Sequence, residues 1–466
     1  MKFVNRQQEL TRLDRLIDSG EAQMAVVWGR RRVGKTRLLL EWAQKHHGIY
    51  YTADESAPVV QRKYFALALQ QILPDFAAVE YSDWNSLLSR LAKEAMYIGW
   101  RGPLVIDELP YLISASPEFP SLLQKFIDHE AKKAKMIIAL CGSSQQMMQG
   151  AVLNASSPLF GRASEIIKLG PIAAGYMGEA LSLNNPQEIV ENYSIWGGIP
   201  RYWELVKNNG GSLFDNIDHL ILNPLGALND EPNRLLLEES ATSLRPILDA
   251  IGLGSHRLSE IAARIGQPVT SFTRSIQRLL ELDLIEREIP FGADEHNSKR
   301  TLYKIKDPFM RFWFKIVAPQ RSFLTQARAN QRRLYLKQSI QPLFSLAWEE
   351  LCRCSVPFLS RWKENIHFKQ ANRYWHKSDP EWDILAESID TKSLFIGEAK
   401  WTSKVPSPTW IYKTIEELKN KGLPFIARQS NRQVFYGLFV PEKPKRLILP
   451  PNIKVIDAEE VLAVLK

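Results

Sequence analysis

The chain has 466 residues, 45% hydrophobic and 24% charged, an ordinary balance for a globular protein but too long for one core, so two to four domains are expected. No apolar run approaches the ~20 residues needed to span a bilayer and no leader pattern opens the chain, so a cytoplasmic protein with no membrane partner is expected. Three cysteines, Cys141, Cys352 and Cys354, cannot build a disulfide framework, and no second Cys/His pair stands near them to make a zinc site.

The first predicted strand, MAVVW at 24–28, runs into GRRRVGKT at 29–36. Gly29, four residues, Gly34, Lys35 and Thr36 is the spacing that phosphate binding requires. The backbone N–H groups of Gly29, Arg30, Arg31, Arg32, Val33 and Gly34 can curl around a β-phosphate. Lys35 reaches the β- and γ-phosphates, and the Thr36 hydroxyl meets Mg²⁺ as a helix begins, with Arg37 in its first turn. Leu38, Leu39 and Trp42 recur at helical spacing behind it. The three arginines add positive potential rather than catalysis.

The next strand, in GPLVIDELPYL at 102–112, ends in two acids. Asp107 is placed to bind Mg²⁺ through water and Glu108 to orient or deprotonate the attacking water. KMIIALCGSS at 135–144 then offers Ser143 or Ser144 as a hydroxyl that senses the γ-phosphate or attacking water. In SPLFGR, at 157–162, Arg162 is a candidate arginine finger. Such a finger usually acts across subunits, so a homo-oligomer is expected with it.

These segments, with FVNRQQEL at 3–10 and GGIPRYW at 197–203, resemble the archaeal-type P-loop ATPases, relatives of AAA+ and signalling-type NTPases that also occur in bacteria. The resemblance runs through roughly the whole chain. It implies ATP as the bound nucleotide, with Arg6 and the Gly198-Ile199-Pro200 segment near the adenine and Pro200 in a helical lid.

Past NNGGS at 208–212 the pattern changes to short helices. LSEIAARIG at 258–266, a break at Gln267-Pro268, and VTSFTRSIQRLLELDLI at 269–285 have helix–turn–helix spacing. Ile261, Ala262, Ile265, Ile276, Leu279 and Leu280 would face the core, leaving Ser271, Thr273, Arg274 and Gln277 for a groove. Residues 284–305 alternate into a hairpin that resembles a wing. From Lys299 to Lys337, eleven Lys or Arg face one acid, Asp307, so this segment alone carries +10 against a whole-chain charge of +9. DNA is the expected partner, against the plainer reading of a solvated face. The aromatics of IKDPFMRFWFK, at 305–315, read as core.

The last stretch contains DPEWDILAESIDTKSLFIGEAKW at 379–401. Glu398 and Lys400 fall on one face of an apolar strand by the two-residue period, and a turn at 388–393 would bring Asp383 beside Glu398. Two carboxylates can hold Mg²⁺ or Mn²⁺ while Lys400 supports attack on a phosphate. The arrangement resembles the PD-(D/E)xK nuclease fold, with Glu349 or Glu350 as the helical acid. A buried ion pair in a fold that only binds is the competing reading.

The expected architecture is therefore α/β and multidomain: a P-loop NTPase parallel sheet with a helical lid, a winged helix-turn-helix, and a C-terminal α/β restriction-endonuclease-like domain. The boundaries are 1–207 for the ATPase domain with the start of the lid, 208–235 for the lid or linker, and 236–306 for the winged helix. A basic aromatic connector follows at 307–340 and the nuclease-like domain at 341–466. The expected function is ATP hydrolysis coupled to DNA binding, with metal-dependent cleavage open. The rivals are a nucleotide-switched regulator or scaffold with an inactive nuclease fold, and an assembly factor that touches no nucleic acid.

Overall fold

The computed structural model describes residues 2–294, 300–359, 366–376, 379–428 and 432–466. Two compact units divide the chain, one of Asn5–Pro171 and the other of Met1–Val4 with Ile172–Lys466. Lys299 of the basic segment and the tip of the hairpin at 295–299 lie outside the described residues.

In the first unit five parallel strands, β1 (Gln23–Trp28), β2 (Ile49–Thr52), β3 (Leu104–Asp107), β4 (Ile137–Gly142) and β5 (Glu165–Lys168), lie in the order β2-β3-β4-β1-β5. All of β3 and β4 is buried, as a parallel sheet covered on both faces requires, and this explains their uninterrupted apolar runs. Helix Lys35–Lys45 follows β1 and buries Leu38, Leu39 and Trp42. Helix Trp84–Ile98 is capped at its start by the Asp83 side chain, which accepts from the Ser86 N–H, and stops at Gly99 with φ 72°. The consequence for function is positional. β4 separates the strand leading to the phosphate loop from the strand ending in Asp107, so the two strand ends stand about 10 Å apart at ordinary strand spacing.

Early in the second unit, after a short helix Met177–Leu181, come helices Pro186–Trp196 and Pro200–Asn209, each with proline in its first turn. Helices Leu258–Ile265 and Thr273–Glu281 follow, separated by Gly266 at φ 75° and a 3₁₀ turn, and then a hairpin of β6 (Ile285–Glu288) and β7 (Leu302–Ile305). Phe309, Phe312, Trp313 and Phe314 are fully buried and act as core.

A second five-stranded sheet, β8 (Asn372–Tyr374), β9 (Trp382–Glu387), β10 (Ser393–Ala399), β11 (Gln433–Phe439) and β12 (Ile453–Ile456), keeps sequence order across its width. β8, β9 and β10 are antiparallel, whereas β10, β11 and β12 are parallel, and helix Pro408–Asn420 makes the crossover from β10 to β11. Between β9 and β10, Ser388 and Asp390 hold a tight turn with Thr391 at φ 61°. Among the described residues no helix is long and apolar enough to cross a membrane.

Candidate functional site

The phosphate loop leaves β1 between β4 and β5. Gly29 has φ 145°, and a Cβ there would lie 2.4 Å from the Leu169 carbonyl oxygen, so both conformation and space demand glycine. Gly34, at φ 97°, turns the loop into helix Lys35–Lys45, whose first N–H groups have no partner within the helix. The Lys35 ammonium is buried and donates to the carbonyl oxygens of Gly29 at 2.9 Å and Arg30 at 3.1 Å. Burial pulls it below the ordinary lysine range, while the nearby Asp107 and Glu108 carboxylates oppose the shift. Arg37 turns along the helix surface to Glu41, with its guanidinium 2.6 Å from the carboxylate.

Both oxygens of Asp107 are fixed. Oδ2 accepts from the Thr36 hydroxyl at 2.9 Å and from the Tyr50 hydroxyl, and Oδ1 accepts from the Glu108 N–H at 2.8 Å. Burial and the adjacent Asp107 charge push the Tyr50 phenol upward, so it stays a donor. Tyr50 was not foreseen, because only the pairing of β2 with β3 brings it here.

Glu108, at φ 53°, starts helix Leu109–Ala115 and presents its carboxylate to Ser143. Ser143 donates its hydroxyl to Oε1 and its N–H to Oε2 at 3.1 Å. Ser144 is turned away: its Oγ accepts from the Met147 N–H at 3.4 Å in the turn that follows. Of the two candidate hydroxyls, then, Ser143 and not Ser144 meets the carboxylate. One residue of shift reverses the face of an extended chain.

Arg6 is buried and engages protein groups. It donates to the carbonyl oxygens of Val33 at 3.0 Å and Gly170 at 2.6 Å, and pairs with Glu9 at 3.0 Å. It thus props the phosphate loop from behind. Arg162 pairs with Asp128 at 2.8 Å and donates to the Pro158 carbonyl, also at 2.8 Å. It precedes β5, and nearby Ser164 bonds the Met24 carbonyl at the start of β1. In a parallel sheet this is the edge opposite the phosphate loop, at least ~15 Å away by strand rise. The sheet therefore does not bring Arg162 to the loop of its own chain. Pro200 opens helix Pro200–Asn209 in the second unit, where Trp203 donates to the Gly197 carbonyl at 2.7 Å.

In the C-terminal sheet, antiparallel pairing of Ile384 with Gly397 sets Asp383 beside Glu398. Asp383 Oδ2 accepts from the Ala399 N–H at 3.1 Å. Lys400 Nζ and Lys421 Nζ each lie 2.7 Å from a different oxygen of Glu398. Burial, then the Glu398 charge, raises Asp383 above the usual carboxylate range. Glu349 and Glu350 divide. Glu349 is raised to about 7 by burial and by Asp383. Glu350, although burial opposes it, is held at about 2 by Arg311 at 2.9 Å and Lys304 at 3.2 Å.

The donor set here fits a divalent ion poorly. Glu398 already holds an ammonium on each oxygen, and among the described residues no group of three or more His, Cys, Asp or Glu could hold a metal. Lys421 is the residue that sequence reasoning missed; it lies just past helix Pro408–Asn420, and only the packing of that helix reveals it.

Residues 3–206 match the family described as an ATPase domain predominantly from Archaea, and residues 313–411 match a family of archaeal and bacterial proteins of unknown function. An uncharacterized protein of Methanocaldococcus jannaschii is 31% identical over 405 residues, which span 86% of this chain and 87% of that protein. The chain belongs to the archaeal-type P-loop ATPase family. A Walker-type ATPase of Pyrococcus abyssi shares the fold, with a TM-score of 0.53 at 19% identity over 67% of this chain and 96% of that one. The ORC2 protein of Aeropyrum pernix is similar at a TM-score of 0.43 and 11% identity, over 73% of this chain and 95% of that one.

Six of the basic residues in this segment of the ATPase are paired with acids from other parts of the fold. Lys304 lies 3.0 Å from Glu288, Lys306 2.8 Å from Asp283, and Arg321 3.0 Å from Asp230. Arg332 and Arg333 lie 2.5 Å from Asp218 and Asp215, and Arg311 is held by Glu350. A count of charge along the segment cannot see these partners. In the helix–turn–helix, Ser271, Thr273, Arg274 and Gln277 are exposed, while Ile276 and Leu279 are buried.

Proposed function

We propose that this ATPase is a nucleotide-driven switch that couples ATP binding and hydrolysis to DNA binding through the helix–turn–helix and its hairpin, read as a winged helix. The observation that carries it is the shared grip of Thr36 and Tyr50 on Asp107, beside a Glu108 held by Ser143. In this reading the loop N–H groups and Lys35 hold the phosphates, and Thr36 and Asp107 hold Mg²⁺. When bound, Mg²⁺ neutralises charge on the β- and γ-phosphates. Glu108 orients the attacking water and accepts its proton, and Ser143 positions Glu108. Arg162 serves the site of a neighbouring copy.

The DNA contact is assigned to Ser271, Thr273, Arg274 and Gln277, because their helix face is polar and exposed, and not to the ion-paired basic segment. The C-terminal sheet is assigned to binding without cutting, since Lys400 and Lys421 occupy both oxygens of the Glu398 carboxylate. Fluorescence anisotropy of labelled duplex DNA with the full chain, loaded with ATP in the Glu108→Gln background or with ADP, tests the coupling. Affinities that differ by several-fold between the two states support it. Equal affinities, or no binding at low salt, defeat it.

A further inference from the structure

A cavity of about 390 Å³ opens in the second unit among the end of helix Arg245–Gly252, the hairpin of β6 and β7, and helix Gln341–Ser355. The phosphate loop and the helix face assigned to DNA contribute nothing to it; Glu349, described above, lines it and lies 3.7 Å from Arg353. Ile251, Leu302 and Leu346 make an apolar wall. The polar lining is incompletely satisfied. Glu288, with a side chain 10% exposed, accepts from Lys304 on Oε1 at 3.0 Å, whereas its buried Oε2 has no hydrogen-bond partner.

Apart from Lys304, the neighbouring cations stop short of Glu288. Arg373 Nη1 is 3.9 Å from Oε2, and Arg353 Nη2 is 3.9 Å from Oε1, both beyond hydrogen-bonding reach. Each arginine is anchored by its other nitrogen, Arg353 on the Asp383 carbonyl at 3.0 Å and Arg373 on Glu381 at 2.5 Å. Lys315 stands exposed at the mouth and forms no ion pair among the described residues. One space therefore holds an unmatched buried acceptor, anchored guanidinium groups and an apolar wall. An unmatched buried acceptor is costly unless a donor arrives.

We infer that this cavity is a second ligand site, taking a nucleoside monophosphate whose base carries an exocyclic amino group. The phosphate meets Lys315, Arg353 and Arg373, the base lies on the apolar wall, and the amino group donates to Glu288 Oε2. The volume favours this class over a free amino acid, which also offers an anionic group and an N–H donor but fills far less space. The inference is independent of the DNA reading.

Calorimetric titration of the full chain in a Lys35→Ala background, which weakens the phosphate-loop site, tests it with AMP as the probe. AMP is expected to saturate one site. Purine riboside monophosphate, which lacks the amino group, should bind about tenfold more weakly, equivalent to one lost hydrogen bond to a charged partner. Glu288→Leu should shrink that tenfold difference below about threefold, and Lys315→Ala should weaken both ligands about tenfold. A folded chain with no saturable AMP binding into the low-millimolar range overturns the proposal. So does binding that neither variant changes. If Glu288→Leu does not fold, Lys315→Ala decides, because that side chain is exposed.

Discussion

Ser143 holds both carboxylate oxygens of Glu108, one through its hydroxyl and the other through its N–H at 3.1 Å. Glu108 follows β3 and Ser143 follows β4, so the contact holds the carboxylate at the end of the strand that neighbours β1, the strand leading into the phosphate loop. Glu108→Gln should keep ATP binding and cut turnover by two orders of magnitude or more, since it removes the base but leaves Asp107 in place. Ser143→Ala should lower turnover by about tenfold, whereas Ser144→Ala should leave it unchanged. A steady-state phosphate-release assay checks all three; a larger effect at Ser144 than at Ser143 would reverse the assignment.

Lys35→Ala should abolish ATP hydrolysis and weaken nucleotide affinity, because the ammonium held inside the loop by the Gly29 and Arg30 carbonyl oxygens is the one whose position in the motif reaches the β- and γ-phosphates. Arg162→Ala should reduce turnover by up to roughly 10³-fold with little loss of affinity, provided that neighbouring copies share sites. Mixing the two inactive proteins distinguishes the cases. Recovered turnover is expected, and its absence in an oligomer removes Arg162 from the mechanism.

For DNA, Arg274→Ala should weaken binding and reduce the dependence of log affinity on log salt by about one unit. Arg332→Ala is predicted to act on stability instead, since its guanidinium lies 2.5 Å from Asp218. Anisotropy at two salt concentrations, beside thermal melts, separates the two effects. Binding lost with Arg332 at unchanged melting temperature would return DNA contact to the basic segment.

Adjacent glutamates should respond to pH in opposite directions. Glu349 titrates near 7 in the fold and near 4.5 when unfolded, so its ionisation costs stability. Its contribution is most favourable below about pH 4.5 and declines as pH rises to about 7. Glu349→Gln should therefore raise the melting temperature at pH 8 and change it little at pH 4.5. Glu350 sits at about 2, so its stabilisation is present above about 4.5 and is lost as pH falls toward 2. Glu350→Gln should destabilise the neutral protein by on the order of 3 kcal/mol. Parallel pH–melting curves for both variants check the signs.

Wild-type protein with Mg²⁺ or Mn²⁺ is expected to leave duplex and single-stranded DNA intact, with or without ATP. Metal-dependent cutting that disappears in Asp383→Asn while ATP hydrolysis persists would establish the nuclease reading instead.

What could be read from the sequence was local or carried along one strand. The phosphate loop is contiguous, Asp107 and Glu108 close an apolar strand, and Asp383 meets Glu398 across a hairpin whose period two fixes the face. What could not be read depends on partners distant in the chain. Tyr50 reaches Asp107 because β2 pairs with β3, Lys421 reaches Glu398 from the end of a crossover helix, and Arg332 and Arg333 find acids 114 and 118 residues away. The choice between Ser143 and Ser144 turns on the exact last residue of β4, which hydrophobic patterning leaves undefined by one position.

The two hydrogen bonds of Arg6, to Val33 and to Gly170, have a mechanical consequence. The chain passes from one unit to the other twice, between Val4 and Asn5 and between Pro171 and Ile172. Arg6 follows the first passage and grips Gly170 just ahead of the second, so one guanidinium rivets both covalent tethers to the loop that takes phosphate. Loss of that guanidinium would take one shared donor at once from a carbonyl in the loop and from a carbonyl beside a crossing.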